Sequence, residues 1–433
     1  LGGQVATWGD FAEAAIVQGI GGGGGVAGLS HDPTSNQQLH ASMRVGGDRQ
    51  TSDYASQAQL TATLTGGYAT AGYAAAGVIA QQISGGGGVA AIGSRAVRAR
   101  KENLPDGTAG LGIQVGGDYG ASGGFQPGAV TAKLQPGASL VTAGDGAFGL
   151  VAQTVVGGGG VGALGTSLRT GDGGRGNYNL DALVGGTNTT GQLNALIDPR
   201  TLQLTTPNAS SLEIQFQQAQ AATSGAAATA LLGQSIGAGG GLLIAPAQGV
   251  PTLQLGAVGQ IGRGGQVAFD IAGAAGDAVS IATSGDFSRG ALLQSIGGGG
   301  GVFAGTPLGG GYVNADDPEV RLGARQESGG DGRTVKGTLE AGIVTQGDFA
   351  DALVLQTIGG GGGVADFAQT GDTDRLTGVD ATLGQDGGLD GRGWTASLTL
   401  SGSGRGVSVG TSGHGAYGLA LQSIGGGGGL FSH

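Results

Sequence analysis

The sequence predicts an elongated, mainly β repeat solenoid with short helices, built from seven strand–helix–glycine-strand units joined by hairpin linkers. Three observations predict it. One glutamine recurs seven times, at Gln18, Gln81, Gln153, Gln234, Gln294, Gln356 and Gln422, separated by 63, 72, 81, 60, 62 and 66 residues. Around each glutamine a block of twenty residues aligns without insertion or deletion and runs into consecutive glycines. The composition, 103 Gly with 39% hydrophobic and 11% charged residues among 433, supplies little side-chain volume for one thick core but suits many thin, repeated layers.

The same composition removes whole classes. Glycine does not recur every third residue and Pro numbers only 10, which excludes collagen. The chain is too hydrophobic and too sparsely charged for intrinsic disorder. A net charge of −11 disfavours nucleic acid and anionic membranes as partners. No apolar run reaches the roughly 18 residues of a membrane helix, so no membrane insertion is expected. Cys is absent, which excludes disulfides and thiolate metal sites and is compatible with secretion. No signal peptide opens the chain, and its start at Leu1 reads as a mature or excised piece of something longer.

The elements follow in order along one block. Residues ahead of it, such as Ala278–Ala282 and Arg405–Val409, are β-branched or alternate and read as strand. The block opens with Thr-x-Gly, its threonines being Thr7, Thr70, Thr142, Thr223, Thr283, Thr345 and Thr411. The Ala-rich middle reads as a short helix, with Asp10, Asp145, Asp286 and Asp348 placed to cap its start. Ala416, Ala420 and Ile424, four apart, would share one face of it. The residue four before each glutamine is Gly or Ala, so neighbours approach closely on two sides. A run of five follows, as in Gly297, Gly298, Gly299, Gly300 and Gly301, expected to be an ordered, buried glycine strand. The alternative geometry is a bundle of polyglycine II helices.

Between blocks lie 40 to 61 residues of variable sequence. They are read as hairpins, for example Val335 to Ile343, and Gln266–Ile271 against Ala278–Ala282. The whole is one repeat array over 1–433, with units at about 1–26, 27–89, 90–161, 162–242, 243–302, 303–364 and 365–430.

No residue pattern points to catalysis or a cofactor. The glycine runs lack the Lys-Ser/Thr that ends a phosphate loop. Gly171–Gly174, Gly329–Gly332 and Asp386–Gly391 faintly resemble calcium-binding turns, but they are not tandem, and turn chemistry explains them without calcium. His31 and His40 share a polar loop without metal-ligand spacing. The recurrent glutamine is read as structural, its amide satisfying the backbone of a glycine run.

The block Gly285-Asp286-Phe287, continuing through Leu293-Gln294-Ser295-Ile296 into Gly297–Gly301, resembles the glycine-rich repeats of very large bacterial autotransporter-type surface proteins. Copies at Gln356 and Gln422 match as closely, while those at Gln81 and Gln234 are degenerate. The resemblance runs through the whole chain. It implies a passenger region carried to the outer surface of a Gram-negative bacterium by a C-terminal β-barrel translocator. The expected role is a non-enzymatic surface fibre or adhesin stalk, stacked on itself head to tail or on further repeats of a longer chain. The alternative is a binding module that takes a receptor or glycan on its variable linkers, the longest being 90–141 and 162–222.

Overall fold

The computed structural model describes residues 1–31, 40–47, 58–95, 108–117, 127–167, 177–186, 208–247, 252–256, 258, 260–274, 279–307, 319–323, 329–368, 380–384, 391–401 and 407–433. Among these residues there are 33 strands and no helix. The strands form five parallel sheets, named A to E here in the order in which the chain visits them within one coil. Sheets A, B and C have seven strands each, and D and E have six. In the fifth coil they are Ile281–Thr283 in A, Ala291–Ile296 in B, Gly300–Thr306 in C, Glu319–Leu322 in D and Val335–Glu340 in E. The chain then re-enters A at Gly342–Thr345, one coil further on. Each strand pairs with the same strand of the coils before and after, so glutamine stands on glutamine in B and threonine on threonine in A. Successive coils are therefore one strand spacing apart, about 4.8 Å.

The packing explains the sequence pattern. In sheet B, Leu353 and Leu355 point one way and join Val335 and Leu339 of E and Ile343 of A. Val354 points the other way and joins Val364 of C. The far face of C, with Phe303, Ala365 and Phe367, packs on Val320 and Leu322 of D. The cross-section thus has four layers: A with E, then B, then C, then D. B and C are inner layers, so the residues of B strands in coils two to six are buried on both faces. E is an outer layer and alternates, as Leu212–Gln217 does.

The chain path is a roll. From B it turns through the glycine run and folds back as C, stacking on B face to face. After D it returns to E by passing outside that same glycine turn. The Gly298 amide donates to the Gly262 carbonyl of this returning segment at 2.9 Å, Gly360 to Gly330 at 3.0 Å, and Gly426 to Gly391 at 2.9 Å.

Three expectations are corrected. The short helices do not form. Ala420 and Ile424 belong to the strand Leu419–Ile424, and Ala416 lies in the turn before it. A spacing of four fits a helix face and every second residue of a strand alike, and a strand buried on both faces has no alternation to betray it. The residue four after each block threonine is left-handed, with φ between 50° and 66° at Phe11, Ala74, Gly146, Ala227, Phe287, Phe349 and Gly415, which ends any helix there. The linkers are not hairpins. Val335–Glu340 and Gly342–Thr345 lie in different sheets, as do Val267–Ala272 and Ile281–Thr283, because each finds an in-register parallel partner in the next coil. Ala278, Arg405 and Gly406 lie outside the described residues. Nor do the glycines bundle as polyglycine II: the last two of each run pair in sheet C, Gly300 with Gly362 and Gly301 with Gly363.

Candidate functional site: the ladders between coils

The recurrent glutamines and aspartates converge on the contacts between coils. The glutamines form a ladder through the interior. Nε2 of Gln153 donates to Oε1 of Gln234 at 2.7 Å, Gln234 to Gln294 at 2.8 Å, Gln294 to Gln356 at 2.6 Å and Gln356 to Gln422 at 2.7 Å. At the other end Gln81 donates to Gln18 at 2.8 Å. Gln81 and Gln153 are neighbours in the ladder, and the carbonyl oxygen of each is buried without a donor. The amides therefore bond to one another and not to a glycine run, which corrects the expectation. The reason is periodicity: identical primary amides one strand apart present donor to acceptor, while the glycine backbone is already satisfied by its neighbours. Gly297 donates to the Ile358 carbonyl at 2.8 Å and Gly299 to that of Gly237 at 2.7 Å.

The glycine run is the turn between B and C. Gly297, Gly298 and Gly299 make the turn, and Gly300 and Gly301 start the strand. All five are buried. A Cβ on Gly300 would overlap the carbonyl oxygen of Gly362 in the next coil, and one on Gly301 that of Gly241 in the previous coil. Glycine is required here because backbone meets backbone on both sides.

The Thr-x-Gly turn between A and B repeats a contact made inside each coil. Oγ1 of Thr7, Thr70, Thr142, Thr283, Thr345 and Thr411 donates to the carbonyl five residues on, that of Ala12, Ala75, Ala147, Ser288, Ala350 and Ala416. Thr223 is buried, with no partner for its hydroxyl. The aspartates expected as helix caps bridge coils instead. Asp10 accepts from the Tyr73 amide, Asp145 from Ala226, Asp286 from Asp348 and Asp348 from His414, at 2.7 to 2.9 Å.

Two arrangements escaped the sequence reading. The first is a row of hydroxyls one residue after the glutamine, which fastens the segment returning from D to E. Thr154 and Ser235 both donate to the Ser210 carbonyl at 2.8 Å. Ser295 donates to the Gly265 carbonyl at 2.7 Å and accepts from the Arg333 amide, and Thr357 accepts from Trp394. Its signal was legible, since Thr or Ser follows the glutamine in five of the seven copies. The second is a buried ion cluster. Arg289, 1% exposed, donates through Nε to Asp351 at 2.9 Å and through both terminal nitrogens to Asp366 at 2.5 and 3.0 Å. Burial pushes the Asp366 carboxyl up, and the guanidinium opposes that shift without cancelling it. No repeat marks these three residues.

Among the described residues, no group of three metal-ligating side chains comes together. His31 ends the strand Gly24–His31 and His40 opens the next, His40–Val45. Of the calcium-like segments, Gly171–Gly174 and Asp386–Asp390 lie outside the described residues. Gly329–Gly332 is part of the return past the glycine turn, where Gly330 accepts from Gly360 and Gly332 donates to Arg392. Chemically, the ladders bond one coil to the next. No family model, curated protein or solved structure matches this chain.

Proposed function

We propose that this chain is a structural repeat protein of the bacterial cell surface, the shaft of an extracellular fibre or adhesin stalk, with no catalytic role. One observation carries the reading: the recurrent Gln, Asp and Gly positions are engaged in contacts between coils, and sheets A, B and C run in register through all seven coils, D and E through six. Export is supported by the absence of Cys and by the resemblance of the glycine blocks to autotransporter-type passenger repeats. Electron microscopy of the purified protein tests the shape: unbranched rods of constant width are expected, and discrete globules would count against a shaft.

The partner in this reading is another coil of the same kind, from a second copy stacked head to tail or from further repeats. In coils two to seven a Cβ on the Thr-x-Gly glycine would overlap the carbonyl of the preceding coil. At Gly9 the nearest atom is 3.6 Å away, and the φ is ordinary, yet the residue is still glycine. A coil stacked on that face supplies the missing reason. The face also exposes Trp8, Val26 and Leu29, and the opposite one Leu419, Leu421 and Phe431. Light scattering of this segment tests for a second copy; a monomer at high concentration leaves only further repeats.

A second reading, a binding module for a receptor or glycan, is favoured by where length varies. The blocks admit no insertion, whereas the segments between them differ by up to 21 residues. Replacing 187–207 by a short linker would abolish binding to a glycan array in that reading and leave it unchanged in a plain shaft.

A further inference from the structure

The glutamine, isoleucine and glycine ladders are degenerate. Glutamine stands on glutamine, isoleucine on isoleucine and glycine on glycine, so any coil fits any other in register. A chain built this way has competing folds in which coil n pairs with coil n+2 and the coil between is extruded. Extruding 60 to 81 residues costs little more loop entropy than extruding a few. The ladders alone do not forbid such states.

We propose that the buried cluster of Arg289, Asp351 and Asp366 is a register key, which lets coil five stack only on coil six. Arg289 and Asp351 occupy the same position in successive coils, six residues after the block threonine. The other coils carry Glu13, Ala76, Phe148, Thr229 and Tyr417 there. Asp366 lies on the C strand of coil six, paired with Ala304 before it and Ser432 after it. Skip coil six, and Arg289 meets Tyr417 and Ser432, neither of them a carboxylate. Skip coil five, and Thr229 faces Asp351 and Asp366, leaving two buried carboxylates without a cation. Either error strands charge in a dry interior, which is far costlier than the loss of one neutral hydrogen bond. In the native pairing Nε and both terminal nitrogens of Arg289 are engaged, and Asp351 also accepts from the Tyr417 amide at 2.8 Å.

The test separates register from stability. In the variant R289M/D351A/D366A the cluster becomes apolar, with alanine where coil two already has Ala76 and Ala91. A buried ion pair replaced as a unit by apolar groups is often tolerated. The variant and the wild type are each unfolded in denaturant, refolded, and digested briefly; cleavage within 342–368 reports an extruded sixth coil. The expected result is an unfolding midpoint close to wild type, with cleavage there at least several-fold higher after refolding. Material of the same variant that was never denatured stays resistant. Refolding as homogeneous as wild type overturns the proposal. So does a variant that fails to fold at all, because the cluster would then be holding the fold together and not choosing its register. The single variant D366N distinguishes these outcomes further, since a key predicts misregistered molecules from it even where the native fold survives.

Discussion

At the scale of single residues, function is set by what lies one strand spacing away. Gly300 has φ +129° and the Gly362 carbonyl against it, whereas Gly428, its counterpart in the last coil, has φ +141° and only Ile424 of its own coil nearby. Alanine at either place incurs the backbone strain, about 1–3 kcal/mol. At Gly300 it adds a steric cost of about the same size. Gly300→Ala should therefore lower the urea midpoint distinctly more than Gly428→Ala, and equal shifts would mean that the neighbouring backbone yields. Gln294→Leu leaves the Gln234 Nε2 donor and the Gln356 Oε1 acceptor buried and unpaired, at about 1–3 kcal/mol for each group. Gln18→Leu, at the end of the ladder, orphans one partner only and should cost about half as much in the same denaturation series. Glu13 is the third case. Burial pushes its carboxyl from 4.5 up to about 7, partly offset by its own backbone amide. The folded state then prefers the protonated form. Its stabilising effect is complete below about pH 4.5 and is lost as pH rises through about 7. Glu13→Gln should raise the melting temperature at pH 8, by no more than about 3 kcal/mol in free energy, and leave it unchanged at pH 4. A gain of equal size at both pH values would show that titration is not involved.

At the scale of elements, the glycine turn sets the register of everything after it. One extra glycine between Gly298 and Gly299 would move Val302 and Ala304, which face sheet B, to the side of D, and Phe303 to the side of B. That insertion should destabilise the protein severely by circular dichroism melting, while the same glycine inserted within 308–318 should change little. This also explains what could be read in advance. The recurrence, the invariant length of the run and the β character were legible because they are properties of one strand of text repeated seven times. The Ala-rich segment was misread because B is buried on both faces, so Leu353 to Ile358 carries no alternation to distinguish strand from helix. The glutamine partners were misread because a sequence displays one coil at a time, and the ladder exists only between coils. Arg289 left no such signal for the opposite reason: it stands at its block position in one coil of the seven, so no repeat marks it.

For the whole molecule, the decisive feature is the return from D to E outside the glycine turn. Each coil is closed around its own inner strands, and its strands pair only with those of the coils next to it. Consider a pull applied between Leu1 and His433. No ladder needs to shear along its length; the end coil peels from its neighbour, and the rest keep their contacts. Extension should then proceed by stepwise release of single coils, each step as long as the coil it frees. At about 3.6 Å per extended residue the 60-residue coil gives about 220 Å and the 81-residue coil about 290 Å. Single-molecule force spectroscopy should record a sawtooth with unequal spacings in that range. One abrupt release of the full contour length would mean that the coils fail together. Under load, such a molecule should not snap. It lengthens coil by coil, dissipating work at each rupture, and the irregular linkers set the size of every increment.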